Sequence, residues 1–459
     1  MSENDVIEGE RAAFDAALRQ LDDAAAAAEL FLPADERAIG APVAELRRRG
    51  RRTSGIDNFG ALSLVEQDGV LRWQEGLVVS AAAGRRMRRG APAGRIVRQF
   101  KFEKLAPNQV AEQLVRLDER LTPNQGLHRV RLAPDGRGGR RVRLETVERP
   151  AAKKRALLLV HGTFSNTENL FAGIEATDAG RAFLARVIEG PDSPYDELLA
   201  FNHPTLSVGP VMNAVDLARL FAGCPATIDV VCHSRGGLVT RWWLEGIGRA
   251  AGPGRVVAVA SPLGGTSLAS PGRLRASLDF LTNIGRALEA AGSVAASGAP
   301  FLTVAVGLVK VLASLTGWSA SLPLIDAAVA MIPGLAAQSR TSNNLELARL
   351  QRSHDRSAPA WFTVQSNFVP DPVGWKFWRL FVDDPKARAL DLGADLVFQQ
   401  ENDLVVDTRS MTELVRDGET VHKRIEKFYD FGDQARVHHT NYFQQEETIR
   451  FLRESLGVS

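Results

Sequence analysis

A serine stands in the middle of the chain, where an apolar run meets a stretch typical of a helix. Residues 230–239 read VVCHSRGGLV, with Ser234 at the junction. A sharp strand-to-helix turn of this kind exposes a serine hydroxyl above the edge of a parallel sheet. Gly236 and the small Cys232, which replaces the usual glycine, let strand and helix pass closely. The pattern predicts that Ser234 is a nucleophile and that the Arg235 backbone N–H faces a developing oxyanion; a helix-capping serine is the alternative.

A second motif follows another apolar run. Residues 158–164 read LLVHGTF, so that His161 and Gly162 end a predicted strand. Serine hydrolases place a loop here that donates the other N–H of an oxyanion hole. We expect Thr163 to be this donor, with Phe164 next in order, and His161 to shape the loop without acting as the base.

A third motif lies after the strand that follows the serine. Residues 258–267 read AVASPLGGTS, and this segment resembles the T-P-H-x-G-[ST] loop of lipases. With the first two motifs, it makes residues 155–459 resemble the α/β-hydrolase fold, specifically bacterial lipases and GPI-inositol-deacylase-like esterases. The resemblance leaves the first 150 residues unexplained.

The resemblance implies the chain order serine, acid, histidine, and so directs attention downstream of Ser234. Residues 401–407, ENDLVVD, are similar to the N-D-G-V-V segment that carries the acid in those lipases, with Leu404 in place of glycine. This similarity assigns the acid to Asp403 and leaves Asp407 in reserve.

The resemblance places the base just before the C-terminal helix, predicted at about 445–455. Two adjacent histidines lie there, and the spacing to Tyr442 and to that helix favours His439 over His438. Three other histidines fit the expected order or loop less well: His203, His233 and His354. His233, beside the nucleophile, is expected to support the elbow together with His161, Gly162 and Gly236.

The elements around these motifs indicate an α/β fold with a mostly parallel sheet. Buried parallel strands read as continuous apolar runs, and helix-length stretches separate them here, notably 211–222 and 237–250. The strand candidates are 156–160, 197–201, 228–231, 256–260 and 361–364. An apolar insertion at about 270–345 is expected to form a helical cap, because Lys310, Pro323 and Pro333 make it a poor membrane span.

The first 150 residues have a different texture. Residues 9–31 predict an amphipathic helix within an N-terminal segment 1–40, and residues 41–150 predict a β-rich accessory module with one helix near 107–121. This module holds 23 Lys/Arg against 12 Asp/Glu, in part as arginine clusters at 47–52 and 85–89. Such a patch fits an anionic membrane surface or an acidic partner, or a solvated surface; no nucleic-acid motif accompanies it.

Composition excludes other classes of protein. The two cysteines are eight positions apart and form neither a secreted disulfide framework nor a zinc pattern. The acidic, polar residues 1–20 show no basic or apolar signal-peptide pattern, from which we expect a cytoplasmic location. The sequence therefore predicts a cofactor-free serine hydrolase of the lipase or esterase type, acting on an acyl-ester small molecule or lipid and holding no metal. The alternatives are a thioesterase, acyltransferase or peptidase with the same residues, and a catalytically silent scaffold.

Overall fold

The computed structural model describes residues in fourteen ranges: 59–67, 70–75, 95–103, 110–136, 139–190, 192–247, 254–269, 332–340, 344–352, 359–369, 401–414, 416–417, 420–421 and 425–458. Three sequence expectations fall outside them: the helix at 9–31, both arginine clusters, and most of the cap at 270–345. These expectations stay predictions. Within the described ranges, no helix is both long and apolar enough to cross a membrane.

The chain divides into two units. The first comprises residues 1–114, 274–328 and 372–395. Its described part includes an antiparallel sheet in which β1 (Phe59–Gln67) lies between β2 (Val70–Glu75) and β3 (Arg95–Glu103). Leu64, Trp73 and Ile96 are buried in this sheet.

The second unit comprises residues 115–273, 329–371 and 396–459, and it contains an eight-stranded sheet. Its strands stand in the order β13-β10-β9-β8-β6-β7-β4-β5. All pairs from β13 to β7 are parallel, whereas β4 pairs antiparallel with both β7 and β5. The strands are β4 (Gly126–Pro134), β5 (Arg140–Val147), β6 (Arg155–Val160), β7 (Glu197–Asn202), β8 (Thr227–His233), β9 (Arg255–Val259), β10 (Ala360–Phe368) and β13 (Ile425–Gln434).

Helices cover both faces of this sheet, because its central strands are apolar on both sides. Along β6, Leu157 and Leu159 face one core, and Leu158 and Val160 face the other. The first core is closed by α2 (Thr167–Glu175), α3 (Asp178–Glu189) and α8 (Glu446–Leu456). The second is closed by α4 (Pro210–Leu220), α5 (Gly236–Arg241) and the π-helix Trp242–Ile247.

The remaining described elements belong neither to the eight-stranded sheet nor to the helices that close its two cores. They are α1 (Val110–Leu121), α6 (Pro333–Ala336), α7 (Leu345–Gln351), the 3₁₀ turns Thr408–Thr412 and Tyr442–Gln444, and a ribbon of β11 (Arg416–Asp417) and β12 (Thr420–Val421). The parallel sheet with helices on both faces and a serine in the β8–α5 turn is the α/β-hydrolase fold, which confirms the fold expected from the sequence.

The sheet begins earlier in the chain than the expected boundary at residue 150. The hairpin β4–β5, residues 126–147, was assigned to the accessory module, but β4 pairs with β7 and so lies in the main sheet. An antiparallel hairpin at the edge of a parallel sheet has the same alternating pattern as a hairpin in a separate module. Sequence alternation therefore could not distinguish the two placements.

Candidate active site

Ser234 lies at the apex of the turn between β8 and α5. Its φ is +52°, in the left-handed region that costs a non-glycine residue of the order of 1–3 kcal/mol. Its N–H donates to the Val259 carbonyl (3.0 Å), which ties the turn to β9. A Cβ at Gly236 would lie 2.6 Å from the Val160 carbonyl oxygen and 2.7 Å from that of His161. Only glycine lets α5 start this close to β6.

Three side chains that the sequence singled out meet at this turn. The Ser234 Oγ is 2.9 Å from His439 Nε2, and His439 Nδ1 is 2.9 Å from Asp403 Oδ2. All three side chains are buried, with 4%, 5% and 0% of Ser234, His439 and Asp403 exposed. Because the carboxylate accepts, Nδ1 carries the hydrogen and Nε2 is free to accept from the serine hydroxyl.

The Asp403 carboxylate is held by its own loop. Its Oδ1 accepts the N–H groups of Val405 (3.1 Å) and Val406 (2.8 Å), and its backbone carbonyl accepts the N–H of His439 (3.0 Å). Leu404 has a φ of +83° where the lipase motif has glycine, and its N–H donates to Asn402 Oδ1. The turn therefore keeps the glycine-type conformation despite the leucine.

The alternative base, His438, and the alternative acid, Asp407, form hydrogen bonds and contacts with other residues. The imidazole of His438 bonds Thr440 Oγ1 through Nδ1 (3.0 Å) and packs edge-on to Phe368. Asp407 accepts the N–H and hydroxyl of Ser267 and pairs with Arg340 (3.0 Å). Because Thr266 Oγ1 also donates to the Val405 carbonyl (2.6 Å), the third sequence motif packs against the loop that carries the acid.

The His161-Gly162-Thr163 loop lies directly against the serine. A Cβ at Gly162 would be 2.5 Å from Ser234 Cβ and 3.2 Å from its Oγ. Within the described part of the chain, neither the Thr163 nor the Arg235 backbone N–H donates to a protein acceptor. Backbone amides next to a reactive serine and in a loop packed against it are the donors from which an oxyanion hole is built.

His161 fixes the conformation of that loop. The His203 backbone N–H donates to His161 Nε2 (3.0 Å), so Nδ1 carries the hydrogen and donates to the Gly162 carbonyl (2.9 Å). The ring also stacks on that of His203, with centroids 4.1 Å apart. Burial lowers the pKa of His161 to about 3, so the imidazole is neutral at physiological pH.

Two further histidines surround His439 without reaching the serine. The His233 ring donates through Nε2 to the His439 carbonyl (3.0 Å) and packs against the rings of His439 and Phe443. Burial lowers the pKa of His233 to about 3 and that of His438 to about 4. Both therefore remain neutral where His439 would act as a base.

The Arg235 side chain leaves the site and clamps the start of α4. Its Nη2 donates to the Val208 carbonyl (2.6 Å) and to Asn213 Oδ1 (2.7 Å), and the side chain is fully buried. Burial lowers the pKa of Arg235 to about 9, which still leaves it charged near neutrality. Its backbone N–H, but not its guanidinium, is thus available to a reacting group.

Sequence reasoning missed two contacts of the site. The Thr163 hydroxyl donates to Gln338 Oε1 (3.0 Å), and the Tyr442 hydroxyl lies 3.2 Å from Asp403 Oδ2. Gln338 carries no motif and is 175 positions from Thr163, so no local signal could have found it. Among the described residues, no group of three or more His, Cys, Asp or Glu side chains could hold a metal ion.

Solved structures and one family model are similar to this chain. A lipase from Bacillus licheniformis in its mature form is 14% identical over 68% of this chain and 96% of its own, with a TM-score of 0.37. Lipase 1 from Pelosinus fermentans is 14% identical over 66% and 98%, with a TM-score of 0.39. A probable hydrolytic enzyme from Pseudomonas aeruginosa PAO1 is 15% identical over 72% and 95%, with a TM-score of 0.34.

No curated protein matches the chain. One family model matches residues 137–457, and its description is "Domain of unknown function (DUF7379)". This match covers more than half of the chain and includes Ser234, Asp403 and His439. The protein therefore belongs to this family of domains of unknown function.

Proposed function

We propose that this protein is a serine hydrolase that cleaves carboxylic esters through an acyl-enzyme. The observation that carries the proposal is the buried hydrogen-bonded chain from Asp403 through His439 to Ser234, with 2.9 Å at each step. The left-handed φ of Ser234 and the two free amides beside it support the same chemistry. The substrate we propose is an acyl ester, either a small molecule or a lipid.

The reaction would begin with proton transfer from Ser234 Oγ to His439 Nε2 as Oγ attacks the ester carbonyl carbon. Asp403 accepts from Nδ1 and stabilises the imidazolium that forms. The Thr163 and Arg235 N–H groups would then donate to the oxyanion of the tetrahedral intermediate. His439 Nε2–H would give its proton to the leaving alcohol oxygen. Water, deprotonated by the same nitrogen, would finally release the carboxylic acid and restore the Ser234 hydroxyl.

The test is hydrolysis of p-nitrophenyl esters from acetyl to palmitoyl by wild type, Ser234→Ala and Ser193→Ala. Ser193 is a matched control because, within the described ranges, its hydroxyl bonds only nearby backbone groups: the Val187 and Tyr195 carbonyls and the Tyr195 N–H. We expect Ser193→Ala to retain turnover and Ser234→Ala to lose it. The chain length with the highest kcat/KM would distinguish a short-chain esterase from a lipase.

If no ester is hydrolysed, labelling with a fluorophosphonate shows whether Ser234 is unreactive or whether the right substrate was not among the esters tested. We expect Ser234 to be labelled in wild type and in Ser193→Ala. Labelling without ester turnover would direct the search to thioesters, amides or acyl acceptors other than water. If a folded protein showed no labelling and no turnover, the proposal would be rejected in favour of a silent scaffold.

A further inference from the structure

Asp403 has a donor that none of the sequence motifs accounts for. The Tyr442 hydroxyl oxygen is 3.2 Å from Asp403 Oδ2, the same oxygen that accepts from His439 Nδ1 at 2.9 Å. The hydroxyl is also 3.1 Å from Ser366 Oγ on β10. The Tyr442 side chain is fully buried.

The single hydroxyl hydrogen of Tyr442 has two possible acceptors, the Asp403 carboxylate and the Ser366 hydroxyl. A carboxylate is the stronger acceptor, because charge-assisted hydrogen bonds are about twice as strong as neutral ones. Ser366 has the Val437 carbonyl (3.3 Å) and Tyr442 Oη as acceptors for its own hydrogen. The hydrogen of Tyr442 therefore goes to Asp403.

Burial keeps that hydrogen in place. Burial raises the pKa of Tyr442 well above its ordinary value, and the negative charge of Asp403 raises it further. The hydroxyl is consequently protonated at neutral pH. Tyr442 can thus act as a donor to the carboxylate there.

One short segment supplies both the imidazole and the phenol. The His438 N–H donates to Asn441 Oδ1 (2.9 Å), and the Asn441 N–H donates to the His438 carbonyl (3.1 Å). This turn leads into the 3₁₀ turn that starts at Tyr442. It presents the side chains of His439 and Tyr442, three positions apart, to one carboxylate oxygen. A displacement of Asp403 would have to break both bonds.

We propose that Tyr442 is a positioning residue of this site, whose hydroxyl fixes Asp403 Oδ2 opposite His439 and tempers the negative charge that the imidazole faces. The catalytic role of Tyr442 rests on the proposed function, whereas its hydrogen bond to Asp403 can be tested without it. Losing the Tyr442 hydrogen bond leaves more charge on Asp403 Oδ2. The imidazole then takes up a proton more easily, so its titration moves to higher pH.

Other titratable groups do not confuse the measurement. Among the described residues, His233 at the end of β8 and His438 in the same loop face His439 and Asp403, with His161 behind them. Burial lowers the pKa of each to about 3 or 4. All three are therefore neutral at neutral pH, and their own protonation begins only in the acid range.

The test is an NMR titration of the His439 ring in wild type, Tyr442→Phe, Tyr429→Phe and Ser366→Ala, with His439→Gln used to assign the signal. Tyr429→Phe is the matched control, since Tyr429 packs on Phe431 in the same cluster and no hydrogen bond joins its hydroxyl to Asp403 in the structure. For Tyr442→Phe, we expect the midpoint to rise by about 0.5–1 pH unit. The two other variants should stay within about 0.2 unit of wild type, which distinguishes a hydrogen bond from a packing effect.

Turnover provides a second readout. In Tyr442→Phe, the acid limb of the kcat profile should move to higher pH by the same amount, and kcat at the plateau should fall about tenfold with little change in KM. An unshifted NMR midpoint in folded Tyr442→Phe, or an equal shift in Tyr429→Phe, would overturn the inference. An NMR shift without any ester turnover would support it while counting against the proposed function.

A measurement without mutation at the site covers the case in which Tyr442→Phe does not fold. The chain has three tyrosines, so biosynthetic 3-fluorotyrosine gives three ¹⁹F signals. We expect one of them to follow the His439 titration and the signals of Tyr195 and Tyr429 to stay constant; the signal of Tyr429 is assigned with Tyr429→Phe and that of Tyr195 with Tyr195→Phe. If the chemical shifts of all three ¹⁹F signals stayed constant while His439 titrates, the proposed contact would be contradicted.

Discussion

Replacing Gly162 by alanine tests whether the loop at residues 161–163 serves the serine. The added Cβ would lie 2.5 Å from Ser234 Cβ and 3.1 Å from the His233 carbonyl oxygen, whereas ordinary contact begins at 3.4 Å. Loop and serine must therefore separate by roughly 0.9 Å. The serine side yields little, because α5 starts so close to the Val160 and His161 carbonyls that only glycine fits at residue 236.

A misplacement of about 1 Å at a reacting centre can cost about a hundredfold in rate. We therefore expect kcat of Gly162→Ala to fall about 100-fold, with a smaller change in KM, since the oxyanion interaction exists mainly in the transition state. Overpacking should also lower the free energy of unfolding by about 1–3 kcal/mol. The assay is steady-state hydrolysis of the best p-nitrophenyl ester, with active sites counted by fluorophosphonate and folding followed by circular dichroism.

The control is Gly209→Ala, for which the nearest atom to the new Cβ, Ala337 Cβ, is 3.8 Å away. Its φ of −74° suits alanine. Gly209→Ala should keep kcat within about twofold of wild type, since it neither strains the backbone nor overpacks. Folded Gly162→Ala with kcat within about threefold of wild type would refute the assignment of this loop to the oxyanion, because a displacement of this size could not then matter.

Three further outcomes follow from other contacts. Asp403→Asn should lower kcat by about 10³–10⁴-fold, because the amide disfavours the required tautomer, whereas Asp407→Asn should mainly destabilise the fold; equal losses of kcat would contradict the choice of acid. Gly236→Ala should lower the urea midpoint well below that of Gly209→Ala, by about 2–3 kcal/mol in unfolding free energy, and an unchanged midpoint would contradict the close approach to β6. Acidification from pH 6.5 towards 4 should destabilise the fold by up to about 1.4 kcal/mol per pH unit for each histidine held neutral, because the unfolded chain binds protons that the fold excludes. Four histidines have pKa values lowered by burial, and a flat urea midpoint over this range would contradict them: His161, His203, His233 and His438.

Parts of this protein that depend on neighbouring residues could be predicted from the sequence. The apolar runs at 156–160, 197–201 and 228–231 form buried parallel strands, because a strand covered on both faces needs apolar side chains on both. The turn at Ser234 was recognisable since a strand, a serine with a nearby glycine and a helix are contiguous in the chain. The helix after it was expected over 237–250, and it starts at Gly236 and changes to a π-helix at Trp242.

Only the tertiary structure decided the relations between distant segments. Spacing favoured His439, but local pattern cannot establish which of two adjacent histidines faces a serine 205 positions away, because neighbouring loop residues point in different directions without a fixed period. The structure directs His439 to Ser234 and His438 to Thr440. Spacing alone left Asp407 as a possible acid, and the structure pairs it with Arg340 instead.

The same limit explains the N-terminal boundary and the phenol at the acid. The alternation in β4 and β5 specifies a half-buried hairpin, but the partner of its inner edge, β7, is fixed only by packing. Tyr442 entered the sequence argument only as a marker of spacing, since a single tyrosine carries no motif. Sequence thus determined the chemical groups and their local turns, while the three-dimensional fold decided which groups share a hydrogen bond, because side-chain contacts depend on distances that the order of residues does not contain.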